Sequence, residues 1–334
     1  MDMRTTTDVT TRRLGRSGLQ VSALGMGCWA IGGAMASGDQ KLGYAGTTDD
    51  ESRAAVRLAV ERGVTLFDTA DAYGAGHSEA LLGEVLRDHP EVLVATKFGN
   101  TINEQARQLT GVDVRPDYVR QALTASLRRL RRDHVDLYQL HTPDVTDAQA
   151  EDLVAVLEEL VTAGSLRWWG VSTDDPTRAE LFARAPHCTA MQIQLNVFDD
   201  NPPMLALCDA HDLGALCRSP LAMGLLGGQY TAHTRISGDD IRGRQPEWLR
   251  WFTDGRPDPA FLSQLDTVRD VLASDGRTLA QGALAWIWAH HPRPIPLPGF
   301  RNRAQVDENI GALAFGPLTA AQHLTVEQAL GRGV

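Results

Sequence analysis

Four residues of different chemistry close or follow three successive apolar segments. Asp68 ends "VTLFD", Tyr73 follows it at the foot of a glycine-flanked turn, Lys97 sits in "EVLVATKF", and His141 ends "VDLYQLH". A free phenol ionises near pH ~10, too high for easy proton exchange at neutrality. An ammonium beside it stabilises the phenolate and lowers that pKa by about one to three units. A carboxylate at Asp68 would hold the ammonium, because an unpaired buried charge costs several kcal/mol. An imidazole at His141 would hydrogen-bond a substrate oxygen or relay the proton. The set is that of a tuned phenol acting as general acid or base. Each residue taken singly has an ordinary structural role: packing for the Tyr, capping for the Asp, solvation for the Lys, a satisfied core position for the His. Their coincidence at corresponding strand ends is what points to chemistry.

The positioning elements are legible as a repeat. Apolar segments "LQVSALGMG", "VTLFDTA", "EVLVATKFG", "HVDLYQLH", "LRWWGVST", "TAMQIQLN", "GALCRSPLA" and "RPIPLPG" alternate with stretches whose apolar residues recur at three- and four-residue spacing. Pro116 and Pro203 mark helix starts, and Gly63, Gly164 and Gly214 mark helix ends. Eight β/α units in this length predict a closed (β/α)8 TIM barrel of the α/β class, with an open doubly wound sheet as the competing arrangement. We assign residues 1–12 to a flexible tail and 13–334 to one barrel domain, with an N-terminal β-hairpin, a C-terminal helix and long loops at the C-terminal face. The polar stretches 99–114 and 229–259 are too long for ordinary connections and are expected to wall the site. Trp29, Tyr44, the 100–114 loop, Trp248, Trp251 and Phe252 are the candidates for lining a substrate pocket.

A competing motif is set aside. Gly25-x-Gly27-x-x-Ala30, with Asp49 and Asp50 further on, imitates a dinucleotide fingerprint. That fingerprint requires a helix opening at its second glycine, and seven glycines between Gly25 and Gly46 oppose one.

Composition narrows the class. The chain has 334 residues and a net charge of −10, and its one basic cluster (Arg128, Arg129, Arg131, Arg132) reads as a solvated helix end, which argues against nucleic-acid partners. Cys28, Cys188, Cys208 and Cys217 form no CxxC pair and no zinc-finger spacing with histidine, so neither metal nor disulfide is expected. The start "MDMRTTTDVT" has no signal-peptide core, and no apolar run nears the ~18 residues of a membrane span, so a cytoplasmic protein is expected. Only Lys41 and Lys97 are lysines among 32 basic residues, which makes a lysine in a demanding position conspicuous.

The segments "GVTLFDTADAYGAGHSEALLG", "VATKFG", "VDLYQLHTPD", "GVST", "MQIQLNVFD", "SPLAMGLLGG" and "PLPGFRNRAQVDENIGAL" occur in the order of the signatures of the aldo-keto reductase superfamily, which the chain resembles from about Arg13 to Leu313. The resemblance implies a (β/α)8 barrel that reduces carbonyls with a nicotinamide cofactor and no metal. It implies Tyr73 as general acid, Lys97 as the group that tunes it, Asp68 as the partner of Lys97, and His141 as the residue orienting the carbonyl. On the cofactor side it points to Cys28 and Trp29 beside the nicotinamide, with Asp68 near them. Ser172 and Thr173 stand where the family usually has Ser-Asn, and Gln192 stands at the carboxamide-binding glutamine, with Asn196 close by. Ser219, Pro220, Leu221, Ala222 and Gly224 correspond to the pyrophosphate loop. Arg218 replaces an aromatic that stacks on the nicotinamide, leaving open whether it stacks or pairs with a phosphate. Gly299, Arg301, Gln305, Glu308 and Asn309 correspond to the adenosine side. Arg301 and the following helix N-terminus favour NADP(H) over NAD(H), although the Lys-Ser pattern of some NADP-preferring members is replaced by Gly299 and Phe300.

The resemblance thus implies NADPH-dependent reduction of a small-molecule aldehyde or ketone. Two other readings are a nucleotide-linked deoxysugar ketoreductase of secondary metabolism and a cofactor-binding regulatory subunit with little turnover. The four intact catalytic positions favour an enzyme.

Overall fold

The computed structural model describes residues 11–333 apart from 245 and 247. Eight parallel strands form one sheet: β1 (Met26–Gly27), β2 (Leu66–Asp68), β3 (Leu93–Phe98), β4 (Val135–Leu140), β5 (Leu166–Ser172), β6 (Cys188–Gln194), β7 (Gly214–Arg218) and β8 (Pro294–Pro296). Each pairs with its neighbour in chain order, as β-helix-β crossovers require. The ends of the sheet meet: the Gly25 N–H donates to the Pro296 carbonyl and the Gly27 N–H to the Pro298 carbonyl, both at 3.0 Å, and Gly27 bridges Gly299. The barrel is closed, and the doubly wound alternative is excluded.

Strand alternation sorts the side chains into two cores. Phe67, Val94, Tyr138, Trp169, Val171 and Ile193 face outward onto the helices. Leu66, Leu93, Ala95, Leu137, Ala190, Leu216 and Ile295 fill the barrel interior, and Leu14 and Val21 of an N-terminal hairpin (Thr11–Arg13 against Gln20–Ser22) close its floor. That hairpin starts before the residue-13 boundary expected for the domain, and the rest of the expected tail lies outside the described residues. Above the apolar layer the same inward positions turn polar: Asp68, Lys97, Gln139 and Gln192 sit at the C-terminal ends of β2, β3, β4 and β6. Period-two alternation alone therefore aims these groups at one mouth.

Three features differ from the sequence expectations. The stretch 100–112 is a β-hairpin (Asn100–Asn103 with Gln108–Val112) that joins a second hairpin, Ala34–Ser37 with Gln40–Gly43, in a four-stranded sheet. Both are largely exposed and carry no apolar alternation, so backbone pairing was invisible in sequence. Gly214 opens β7 rather than ending a helix, and a Cβ there would lie 2.7 Å from Leu14 Cδ1. Two helices, Pro259–Leu272 and Leu279–His290, lie between β7 and β8. The second is buried on nearly every side, which erases the amphipathic period. No helix among the described residues is long and apolar enough to cross a membrane.

Candidate active site

Lys97 is the electrostatic centre. Its ammonium is wholly buried and donates to Asp68 Oδ1, to the Thr69 carbonyl at 2.9 Å, and to the Tyr73 hydroxyl at 3.3 Å. The other Asp68 oxygen accepts from Gln139 Nε2 at 2.9 Å and Gln192 Nε2 at 2.8 Å. Burial by itself would drive the Lys97 proton off; the Asp68 charge and the Tyr73 oxygen outweigh it, and the ammonium is held above its usual range. Asp68 thus keeps charged a lysine that the barrel interior would otherwise neutralise.

Tyr73 is placed by its turn. Gly74 has a φ of +62°, and a Cβ there would lie 2.1 Å from the Gly32 carbonyl oxygen, so only glycine lets the 30–33 segment close over the tyrosine. The Tyr73 ring stacks on Trp29 at 5.9 Å and meets the His141 ring edge-on at 5.8 Å. Burial raises the Tyr73 pKa, and the nearby Lys97 charge acts in the opposite direction without cancelling it. The downward pull expected from Lys97 is present, but the net direction is upward, so the resting phenol carries its proton.

His141 follows β4, with Asn100 Nδ2 3.4 Å from its Nδ1. With the amide donating, Nδ1 is the acceptor and the ring's proton sits on Nε2. Burial, reinforced by the Lys97 and Arg218 charges, lowers the His141 pKa to about 3. The imidazole is neutral at neutral pH and offers one N–H donor. Its resonances are therefore expected to stay constant between about pH 5 and 8, whereas a freely solvated histidine titrates there. Heteronuclear NMR of histidine-labelled protein checks this, and a His141 midpoint within that window would refute it. The sign for stability follows: above pH ~6.5 neither folded nor unfolded ring is charged, while below it only the unfolded ring gains a proton, so this contribution declines as the pH falls towards 3.

A cavity of about 770 Å³ runs from these groups to the loop after β8. Asp68, Tyr73 and His141 line it with Cys28, Trp29, Ser172, Thr173, Gln192, Arg218, Ser219, Pro220, Leu221, Gly224, Gly299, Arg301, Gln305, Glu308 and Asn309. Two expected residues do not. Lys97 lies beneath the wall with its ammonium donating to the Tyr73 hydroxyl, and Ala222 points into the core, its N–H bound to the Ser219 carbonyl. Ser219, Ala222 and Met223 all have left-handed backbones (φ 51°, 47° and 56°), each costing about 1–3 kcal/mol. The Asn196 amide holds the Ser219 carbonyl at 3.1 Å.

Arg218 lines the cavity with its guanidinium paired to Asp174 and donating to Gln194 Oε1 at 3.0 Å. Arg301 has no carboxylate in ion-pair range among the described residues. It stands before the helix Arg303–Gly311, whose N-cap Asn302 accepts from the Gln305 N–H at 3.0 Å. Of the expected substrate-side aromatics, Trp29, Tyr44 and Trp248 line the cavity, while Trp251 and Phe252 are fully buried behind it. They anchor the long loop, Phe252 against Tyr230 at 5.3 Å.

Sequence reasoning missed Gln139, Asn100 and Arg242. Gln139 was findable as a polar residue two positions before His141 on the same strand face. Asn100 was hidden in a segment read as loop; Tyr118 OH fixes its carbonyl at 2.5 Å. Arg242 is buried in the long loop, chelated by Asp240, and donates to Met223 O at 3.3 Å and Tyr230 OH at 2.5 Å. Its guanidinium also lies 5.0 Å over the Tyr44 ring. Only the fold brings it to the wall.

Comparison with known proteins agrees with this fold. The profile described as "Aldo/keto reductase family" matches residues 23–330. The aldo-keto reductase YhdN of Bacillus subtilis is 31% identical over 87% of this chain and 85% of its own length. The aldo-keto reductase yakc [NADP(+)] of Schizosaccharomyces pombe is 26% identical over 91% and 87%. Among solved structures, the glycerol dehydrogenase AKR11B4 of Gluconobacter oxydans superposes with a TM-score of 0.80 at 29% identity, over 97% of this chain and 96% of that one.

Proposed function

The chain belongs to the aldo/keto reductase family, and from that premise we propose that it reduces an aldehyde or ketone to the alcohol with NADPH, the proton coming from Tyr73. The observation that carries this reading is the buried Asp68–Lys97–Tyr73 chain opening beside a neutral His141.

The residues present fit the cofactor. One cavity joins the Tyr73 end to Arg301, and a strained loop at 219–224 lines it between them. Gln192 commits its amide nitrogen to Asp68 and Gln139, which leaves its carbonyl oxygen as an acceptor for a carboxamide. Thr173, in the usual asparagine position, has its hydroxyl engaged by the Asp175 N–H at 3.1 Å, so Ser172 is the freer of the two. When bound, the nicotinamide supplies a hydride to the carbonyl carbon. The Nε2–H of His141 and the Tyr73 hydroxyl both donate to the carbonyl oxygen, fixing the carbonyl and polarising it. As the oxygen becomes basic, Tyr73 releases its proton to it, and the Lys97 ammonium stabilises the phenolate left behind. Asp68, held by two glutamine amides, keeps that ammonium charged. Trp29, Tyr44 and Trp248 form an aromatic wall of the same cavity.

Preference for NADPH rests on Arg301, a cation with no acidic partner in range among the described residues, at the adenosine end beside a helix N-terminus. A guanidinium–phosphate contact contributes about 1.5–3 kcal/mol, so Arg301→Gln is expected to weaken NADPH roughly ten- to hundredfold and NADH much less. Tryptophan-fluorescence titration with both cofactors, followed by turnover on a carbonyl panel, tests the proposal. Equal losses for the two cofactors would assign Arg301 another role, and binding without turnover on any carbonyl would favour a regulatory cofactor-binding protein.

A further inference from the structure

On the outer face of the barrel, apart from the cavity, the helix Leu279–His290 packs against the C-terminal helix Ala320–Ala329. At their contact, His290, His323 and Glu327 place three potential ligand atoms within 4.8 Å of one another. We propose that these three residues form a binding site for a divalent transition metal ion of the zinc class, which clips the C-terminal helix to the barrel.

The spacing of the atoms suits such an ion. His290 Nδ1 and His323 Nε2 lie 3.3 Å apart, and His323 Nε2 and Glu327 Oε1 3.8 Å. Two nitrogens at tetrahedral positions ~2.0–2.1 Å from zinc are separated by about 3.3 Å. His323 and Glu327 reach the site together because they stand four residues apart on one helix face.

The non-ligating nitrogen of His290 is already tied, and the Glu327 oxygen that faces His323 is itself a hydrogen-bond acceptor. His290 Nε2 lies 3.3 Å from the Asp200 carbonyl, an acceptor only, so that nitrogen carries the proton and Nδ1 turns a lone pair towards His323. Glu327 Oε1 accepts from Trp286 Nε1 at 2.9 Å and from Arg332 at 3.4 Å. The Trp286 ring stacks on His290 at 4.6 Å, which fixes the imidazole plane. Burial lowers the His290 pKa, with Glu327 opposing. Without metal, a proton between the two rings fills the same position; with metal, His323 would carry its remaining proton on Nδ1. Arg332 brings positive charge near the site, which favours modest rather than tight affinity. The chain order gave no hint, since His290 comes from a different helix and no cysteine takes part.

The test uses tag-free protein stripped with EDTA and titrated with Zn²⁺ by calorimetry, with Tm measured with and without the ion. A single equivalent should bind and raise Tm. His323→Gln and Glu327→Gln should each weaken binding at least about tenfold and abolish the Tm gain. Glu327→Gln keeps an oxygen for Trp286, so one variant retains the packing if the other folds poorly. Absence of binding, or wild-type affinity in either folded variant, would overturn the site. None of these outcomes depends on carbonyl turnover.

Discussion

Replacing Tyr73 with phenylalanine is expected to lower kcat for carbonyl reduction by about 10²- to 10⁴-fold while NADPH binding is retained, because the change deletes a general acid and little else. The ring would keep its stack on Trp29 and its edge-on approach to His141, and the variant gives up only the hydroxyl's interaction with Lys97. His141 cannot substitute as the acid: its pKa is lowered to about 3, and giving up the Nε2 proton would create an imidazolate. On the proposed reading Tyr73 is the source of the proton. The pH profile follows from the direction of its shift. With its pKa raised, the phenol is protonated throughout the neutral range, so reduction should be flat there and fall only on the alkaline side as the acid form is lost.

The largest effect on the fold is expected from Lys97→Met. Methionine fills similar volume but leaves the Asp68 carboxyl 3% exposed and without a cation, a situation that costs about 3–5 kcal/mol. Gln139 and Gln192 still donate to it, yet amides do not neutralise a charge. Urea unfolding should show the loss, and the double variant Asp68→Asn with Lys97→Met should recover much of it without recovering activity. The alkaline limb of the residual activity should also move to higher pH, since Lys97 is the group that opposes burial at Tyr73. Recovery of turnover in the double variant would show that Lys97 serves only to satisfy Asp68.

These expectations rest on residues that stand out along the chain itself. Asp68, Lys97 and His141 announce themselves because an ionisable group ending an apolar strand violates the pattern around it, and a barrel converts strand ends into one mouth. The barrel is readable from repeated alternation of strand and amphipathic helix. Leu279–His290 is not, because a helix buried all round has no polar face to create a period. The hairpins at 34–43 and 100–112 are not, because their pairing is backbone to backbone and their side chains are mostly solvated. Arg218 is identifiable as a departure from the family pattern, but its pairing with Asp174, between the end of β7 and the loop after β5, has no signature along the chain. The same holds for His290 and His323, which come from separate helices and lie 3.3 Å from each other.

The role of Tyr73 as proton donor is best tested by rapid mixing of NADPH-loaded protein with a panel of reactive aldehydes and ketones, following the loss of reduced-nicotinamide absorbance in the wild type and in Tyr73→Phe. Rapid loss is expected with at least one carbonyl in the wild type, and a drastically slower phase in the variant at the same NADPH occupancy. Equal rates in the two proteins, or no loss with any carbonyl in a wild type that binds NADPH, would contradict it.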